Sequence, residues 1–301
     1  MNILQWKTSF IKEYWEYKNY LFWLPLIMSV LMIVIPTVSF ILKDTSGTQW
    51  LELFKNLSMT TDSPQLASAF YKLTMGIFVP FTAVAIIIQL YYFLACLYDE
   101  KKDTSIYFWR SLPVADSTTV IVKLLTGMLF IPGILLFAAT ITLAVFLLAA
   151  LVLTIVLSIG FDISLWAAWL NAEIISAIFF AWLNLIPGSL WLLPLFAWLM
   201  LASVIANKAP FLWAFLPIIA LLIIEVVLVN YSLLPDFYLA KSLKEYFAIS
   251  DELLLQYSNG DFQVSNISVN VLLAKISVVG LFLAAIFLYA TYWLRANRSH
   301  A

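Results

Sequence analysis

Long apolar runs alternate with short polar segments along the whole chain. A helix that crosses a bilayer needs roughly 20 mostly apolar residues, and six runs meet this requirement. They cover residues 21–42, 73–98, 124–158, 174–206, 211–231 and 271–294. The pattern therefore predicts an all-α membrane protein with six transmembrane helices, built as one transmembrane domain over residues 1–301.

The third and fourth runs are longer than a bilayer requires, and both contain proline. Pro132 and Pro187 are each followed by glycine, and the fourth run also contains Pro194. A proline inside a helix removes one backbone hydrogen bond and clashes with the preceding turn. We therefore expect kinked, tilted or broken helices in these two runs.

The first twenty residues have the pattern of an amphipathic helix. Apolar and aromatic residues recur every three or four positions, at Ile3, Trp6, Phe10, Tyr14, Tyr17 and Leu21. Polar residues occupy the opposite side, at Gln5, Thr8, Ser9, Lys12, Glu13, Glu16 and Asn19. Such a helix is expected to lie in the membrane interface. It can serve as an anchor, as an elbow helix against a cytoplasmic partner, or as both.

The distribution of lysine and arginine predicts the orientation. With the N-terminus inside, the loop around 99–123 is basic and cytoplasmic, whereas the outer loop 159–172 has no lysine or arginine. Both termini are then cytoplasmic. Two outer connections are large, at 43–71 and 232–270, and the second contains apolar, helix-like stretches around 237–255. We expect 232–270 to be a folded, helical outer segment.

Composition indicates a membrane protein, and the sequence motifs of several enzyme classes are missing. The chain is 64% hydrophobic and 11% charged, whereas about a quarter of a soluble domain is charged, so lipid is the expected solvent. The net charge of −1 gives no argument for nucleic-acid binding, and one cysteine excludes a disulfide framework. The sequence contains no G-x-x-x-x-G-K-[ST], H-E-x-x-H or G-x-S-x-G. We therefore expect neither an enzyme nor a chain that binds its own metal or cofactor.

The loop after the second run has the most distinctive sequence. Asp103 or Thr104 can cap a short helix, which Pro113 would end, and Asp116 or Ser117 can cap the third long helix. The predicted short helix carries three consecutive aromatic residues, Tyr107, Phe108 and Trp109. These side chains can lie among lipid headgroups or fill a cleft on another protein, where aromatic anchors often dominate the binding energy.

This loop resembles the segment between the second and third helices of ATP-binding-cassette type-2 permeases. The resemblance is carried by Glu100-Lys101-Lys102-Asp103-Thr104, by Arg110-Ser111-Leu112-Pro113-Val114 and by Lys123. Asp103 stands where the family commonly has glycine, and the aromatic triplet is also unusual. The six-helix layout, the cytoplasmic termini and the large last outer loop extend the resemblance loosely to the whole chain.

The resemblance implies that residues 99–123 contain a coupling helix that docks on a cytoplasmic ATPase. The implied coupling residues are Glu100, Thr104, Tyr107, Phe108, Trp109, Arg110, Leu112 and Pro113. It further implies two copies of a separate ATPase that binds ATP and Mg²⁺, and a second permease copy, identical or paralogous. Membrane lipids are the other expected partners, and the bacterial cytoplasmic (inner) membrane is the expected location.

Three polar residues fall at membrane depth. Glu225 lies about two-thirds along the fifth run, and an intramembrane carboxylate is a candidate functional site. It can bind a proton or cation in an ion-coupled transporter or channel, or it can have a structural role near the outer interface. Gln89 and Asn184 can join helices by hydrogen bonds or line a pathway. An ABC-type exporter is the leading hypothesis, the ion-coupled transporter is the alternative, and a membrane scaffold or intramembrane enzyme is the weakest.

Overall fold

A computed structural model describes most of the chain. The described residues are 3–42, 52, 55, 64–103, 115–163, 165–166, 169, 174–231, 234–248 and 272–297. Within these ranges the secondary structure is helical, and no strand is found. The predicted all-α class is therefore confirmed for the described part of the chain.

Twelve α-helices are defined here in chain order. They are α1 (Ile3–Glu16), α2 (Leu24–Leu42), α3 (Pro64–Ala95), α4 (Tyr98–Lys102), α5 (Asp116–Leu125), α6 (Ile131–Gly160), α7 (Ile174–Leu183), α8 (Leu185–Trp191), α9 (Leu193–Ile205), α10 (Pro210–Asn230), α11 (Tyr238–Phe247) and α12 (Val278–Asn297). Two π-helical turns, Asn19–Trp23 and Thr126–Phe130, precede α2 and α6 respectively.

The chain divides into two compact units. The first contains α1, the last turns of α3, and α4, α5 and α8 to α12; its bounds are Met1–Glu16, Ile87–Phe130 and Asn184–Ala301. The second contains α2, most of α3, α6 and α7, with bounds Tyr17–Ile86 and Ile131–Leu183. In the first unit α9 packs against both α10 and α12, and in the second α2 packs against α6.

Five helical stretches are long and apolar enough to cross a membrane, or six if the bent fourth stretch is one span. The five are Asn19–Ser39, Leu73–Lys102, Asp116–Gly160, Pro210–Asn230 and Val278–Asn297. Large apolar side chains along them are exposed, including Ile35, Leu148 and Leu216. Such continuous apolar surface is stable in lipid and not in water. The chain is therefore a multi-pass integral membrane protein.

One predicted span start agrees with the structure and another differs in detail. The second predicted run began at residue 73, and the membrane-spanning stretch also begins at Leu73, within a helix that starts earlier at Pro64. The sixth began at residue 271; residues 272–275 are helical, the helix is interrupted at 276–277, and α12 begins at Val278. There the Ser277 hydroxyl accepts a hydrogen bond from the Gly280 amide (3.0 Å), which caps the helix.

The third predicted run is interrupted just before its proline. Helical structure extends from Asp116 to Gly160, but the turn Thr126–Phe130 is π-helical and ends two residues before Pro132. At about 1.5 Å per residue, this stretch is roughly twice as long as the hydrocarbon core is thick. The predicted irregularity takes the form of a π turn.

The fourth predicted run is broken, as its prolines indicated. It consists of α7, α8 and α9, and a bend of 56° separates Ala177–Trp191 from Leu193–Ile205. Pro187 and Pro194 have no N–H to donate to the carbonyls of residues 183 and 190. The first break, at residue 184, directly follows residue 183, and the second, at residue 192, lies two residues after residue 190.

Helix α1 forms as predicted, but its polar side is not turned away from the protein. Phe10 stacks on Phe130 with 4.8 Å between ring centroids, as the aromatic stripe predicts. Glu13, from the predicted polar side, is only 2% exposed, whereas Tyr14, from the predicted stripe, is exposed. The predicted division into two faces is therefore wrong at these two positions, because Glu13 has charged partners inside the unit.

Several predicted features lie wholly or partly outside the described residues. The short helix predicted within 104–113 falls entirely there. Within the outer segment 232–270, the structure describes α11 and the residues that lead into it. Helix α11 confirms that this segment contains a helix.

Candidate functional site

A cluster of charged side chains lies buried in the first unit. We call it the ionic cluster, and it consists of Lys12, Glu13, Glu100, Asp116, Lys123 and Arg295. These residues come from α1, α4, α5 and α12. Charges are rarely buried in proteins unless they are paired. The cluster is therefore the feature of the described residues that most needs an explanation.

Glu100 lies at the centre of the ionic cluster and is 1% exposed. Its Oε1 accepts a hydrogen bond from Lys12 Nζ at 2.7 Å and lies 3.2 Å from Lys123 Nζ. Its Oε2 accepts a hydrogen bond from Arg295 Nη1 at 2.9 Å. One carboxylate is thus in contact with three cations from three helices, which compensates for its loss of hydration.

Glu13 forms a second acidic position in the same cluster. Its Oε1 accepts a hydrogen bond from Lys123 Nζ at 2.8 Å, and its Oε2 accepts one from the Tyr92 hydroxyl at 2.8 Å. Lys123 is completely buried, so its ammonium bridges Glu13 and Glu100 away from solvent. Helices α1 and α5 can pack together here because their charged residues neutralise one another.

Arg295 extends the ionic cluster to Asp116. Its Nε donates a hydrogen bond to Asp116 Oδ1 at 3.0 Å, while its Nη1 bonds to Glu100. Asp116 is the first residue of α5 and Arg295 is in the last turn of α12. An acid in the first turn and a base in the last turn are each favourable with the helix dipole.

The N-cap of the third long helix lies one residue before Asp116, the earlier of the two predicted caps. The N-cap is Ala115, and no side chain caps the helix there. The Asp116 carboxylate is instead engaged by Arg295, which explains why it does not fold back onto its own backbone. Ser117, the other predicted cap, lies within α5.

Backbone amides at the start of α4 and one of its side chains form hydrogen bonds to α9 and to the turn that follows it. The Leu97 and Tyr98 amides donate to the Ser203 hydroxyl of α9 at 3.2 and 2.9 Å. Lys101 Nζ donates to the Asn207 side chain at 2.5 Å and to the Ala206 carbonyl at 3.3 Å. Helix α4 is thus fixed at its N-terminus by α9 and along its side by the turn after α9.

Among the described residues, one group of potential metal ligands overlaps the ionic cluster. Glu13, Glu16 and Glu100 each place one carboxylate oxygen within 4.8 Å of the others. Lys123 Nζ already lies 2.8 and 3.2 Å from two of these carboxylates, in the position that a cation would take. Desolvation raises the pKa of Glu16, and the acidic neighbours add to this effect while Lys123 opposes it. The residues therefore fit an internal ion-pair network better than a metal site.

The predicted coupling residues fall into two groups. Glu100 is described and is the centre of the ionic cluster. The other seven lie outside the described residues; they are Thr104, Tyr107, Phe108, Trp109, Arg110, Leu112 and Pro113. Lys123, the last residue of the family-like pattern, meets Glu100 directly. The structure therefore describes the two ends of the predicted coupling segment.

Gln89 joins two helices by a hydrogen bond, which is one of the two roles predicted for it. Its side-chain Nε2 donates to the Gly127 carbonyl at 2.9 Å. The next carbonyl, that of Met128, accepts a hydrogen bond from the buried Ser189 hydroxyl at 2.8 Å. Both carbonyls lie in the π-helical turn, where the regular ladder is interrupted and Pro132 supplies no N–H. Ser189 was not singled out from the sequence, because a single serine in an apolar run gives no signal.

Asn184 lies at the first break of the fourth run. It is the N-cap of α8, and its backbone carbonyl accepts a hydrogen bond from the Gly188 amide at 3.0 Å. Its backbone lies in the right-handed helical region (φ −68°, ψ −14°), and its side chain makes no capping hydrogen bond. The roles predicted for Asn184, in joining helices or lining a pathway, stay predictions.

Glu225 binds the start of the outer helix α11. The side chain is 6% exposed, and its two oxygens accept hydrogen bonds from the Leu239 amide at 2.5 Å and the Ala240 amide at 3.0 Å. These amides are among the free N–H groups of the first turn of α11, where a carboxylate is favourable. This geometry favours the structural role that the sequence left open for Glu225.

The far end of α11 is also anchored. The Tyr246 hydroxyl donates to the Trp191 carbonyl at the break between α8 and α9, and the two rings lie 6.0 Å apart. Burial raises the pKa of Tyr246, so its hydroxyl stays protonated and able to donate. Helix α11 therefore connects α10 with the broken fourth run.

Comparison of the chain with protein-family models, with curated proteins and with solved structures finds no match.

Proposed function

We propose that the chain is the membrane-spanning subunit of an ATP-binding-cassette exporter. Residues 100–123 resemble the coupling loop of type-2 permeases. Within this segment, Glu100 and Lys123 form a buried ion pair with 3.2 Å between Oε1 and Nζ. Both residues belong to the family-like pattern, and their contact is the observation that best supports the proposal.

In this proposal a separate ATPase supplies the energy. The chain has no phosphate-binding loop, so ATP and Mg²⁺ would be bound by two copies of a cytoplasmic subunit. Closure of these subunits would move the segment 99–123 and switch the permease between inward-facing and outward-facing states. Two permease copies, identical or paralogous, would enclose the path in a bacterial cytoplasmic membrane.

The ionic cluster gives a physical reason why such movement would reach the helices. Separating one partner of a buried charge pair leaves an uncompensated charge and costs about 3–5 kcal/mol. A displacement of α4 would therefore carry α1, α5 and α12 with it rather than break their contacts. Rigid transmission of this kind needs no chemistry within the chain.

Co-purification tests the proposal. A tagged chain would be expressed with its neighbouring genes and purified in mild detergent, without nucleotide, with ATP or with a non-hydrolysable ATP analogue. We expect a second subunit that contains G-x-x-x-x-G-K-[ST] to be retained and to hydrolyse ATP. If no such subunit is retained in any nucleotide state, the proposal is wrong.

A further inference from the structure

Arg295 has an unusual position in the ionic cluster. Its guanidinium is 4% exposed and contacts two acids that lie on opposite sides of the segment 101–115. Nη1 bonds to Glu100 before this segment, at 2.9 Å, and Nε bonds to Asp116 after it, at 3.0 Å. One side chain of α12 therefore holds α4 and the start of α5 at a fixed separation.

This task suits arginine better than lysine. The guanidinium is planar and presents several N–H donors in a rigid fork, whereas an ammonium is a compact point charge on a flexible stem. Among the described residues, the remaining charges around Glu100 are Lys12 and Glu13 from α1, Lys123 from α5 and Glu16 at the edge of the group. Of the three cations that contact Glu100, only Arg295 also contacts Asp116 among the described ion pairs.

The helix that carries Arg295 is well placed to receive a displacement. In the first unit α12 packs along α9, with the Trp198 and Phe287 rings 5.3 Å apart. The Gly280 backbone approaches Pro194 closely enough that an added Cβ would lie 3.3 Å from its ring. Movement at Glu100 and Asp116 would thus act on α12 through Arg295 and on α9 through α12.

We propose that Arg295 is a positioning residue for energy coupling: it ties both ends of the segment 101–115 to α12. This role rests on the proposed function, since it assumes that the segment docks on an ATPase. The tie itself is a property of this chain alone. The two can therefore be tested separately.

Hydrogen exchange in the purified chain tests the tie without any partner. In Arg295→Met, we expect amides of α4 and of the first turn of α5 to exchange at least about tenfold faster, because the buried Glu100 and the partly exposed Asp116 each lose a cation. In Asp116→Asn, only the first turn of α5 should change, since Glu100 keeps its contact with Arg295. Helix α10 should keep its exchange rates in both variants.

Two further variants keep the test decisive if Arg295→Met folds poorly. Arg295→Lys retains the charge and should loosen at least one of the two ends, because one ammonium does not reproduce the fork. Asp99→Asn is the matched control, since Asp99 precedes Glu100 on the same helix and makes no ion pair in the described structure. It should leave the exchange of α4 and α5 unchanged.

Coupling is measured in the reconstituted complex, as substrate moved per ATP hydrolysed. A positioning role predicts that Arg295→Lys and Asp116→Asn lower this ratio at least about fivefold, while ATP hydrolysis by the partner persists. Unchanged exchange at both ends in Arg295→Met and Arg295→Lys would overturn the tie. An unchanged coupling ratio despite faster exchange would overturn the positioning role. Failure to retain any ATPase would reject the proposed function while leaving the exchange result valid.

Discussion

At the scale of single residues, Lys123 is the side chain with the most unusual environment. Its ammonium is completely buried, and it lies 2.8 Å from Glu13 and 3.2 Å from Glu100. Removing an ammonium from water costs several kcal/mol, which only close and well-oriented acids repay. The stability of this region therefore depends on the set of charges being complete.

Replacing Lys123 by methionine should destabilise the chain strongly. Methionine has a similar length but leaves Glu13 and Glu100 buried with one cation fewer, so we expect a loss of about 3–5 kcal/mol. The measurement is unfolding in detergent, followed by the apparent Tm. Lys102→Met, at an exposed position on α4, is the control and should change the Tm little. Equal Tm values for the two variants would contradict the role given to Lys123.

Glu225→Ala should destabilise α11, and it should not abolish any transport driven by an ion gradient. The change removes two hydrogen bonds from the first turn of α11, and loss of a helix cap costs about 0.5–2 kcal/mol. Faster hydrogen exchange in residues 238–242 is the measurement. Glu245→Ala, at an exposed position on the same helix, should leave this exchange unchanged. Unchanged exchange in Glu225→Ala, together with loss of ion-driven transport, would favour the ion-coupled alternative.

The sequence allowed some of these residues to be recognised and not others. Glu100 and Lys123 were recognisable because they belong to a linear pattern. Arg295 and Glu13 were not assigned to the site, because their partners are 195 and 110 positions away in the chain. Such contacts depend on how helices pack, and local spacing does not encode them.

At the scale of elements, the π-helical turn Thr126–Phe130 is stabilised from outside the helix. Gln89 and Ser189 donate to two of its carbonyls, and the Phe93 ring lies directly against Gly127. A Cβ at position 127 would lie 2.2 Å from Phe93 Cζ. Glycine fits here because the Phe93 ring lies against the backbone and leaves no room for a Cβ unless the ring moves.

Gly127→Ala should therefore destabilise the protein by about 1–3 kcal/mol, the usual cost of overpacking. Phe93 is completely buried and stacks on Phe196 at 4.5 Å, so its ring has little room to move. Gly133→Ala is the matched control, since nothing lies within 4 Å of the added Cβ. The control should be neutral or slightly stabilising, because alanine is the better helix former. Thermal unfolding of both variants, side by side, would reveal the difference; identical midpoints would contradict this account of the turn.

Apolar run length predicted the spans well and their ends less well. The fifth run matches α10 to within one residue, because Pro210 and the left-handed Ala209 (φ 48°) mark a sharp start. The sixth run passed over the interruption at residues 276–277, because hydropathy alone does not show that Ser277 caps a new helix. Proline predicted the breaks in the fourth run, whereas the π turn could not be foreseen, since its support comes from other helices.

At the scale of the whole molecule, we propose that an external ATPase drives this membrane protein. The described helices form a multi-pass membrane protein, and the ionic cluster connects α1, α4, α5 and α12. The segment that the sequence marks for docking begins and ends at this cluster. We propose that this segment contacts an ATPase rather than lipid headgroups.

Site-specific photo-cross-linking in intact cells tests this claim most directly. A benzophenone amino acid would replace Phe108, in the aromatic triplet, or Trp15, an exposed residue of α1 that serves as control. We predict that position 108 cross-links to a protein containing G-x-x-x-x-G-K-[ST], that the yield changes with ATP, and that position 15 does not capture it. Cross-linking of position 108 to lipid alone, with the neighbouring genes expressed, would contradict the account.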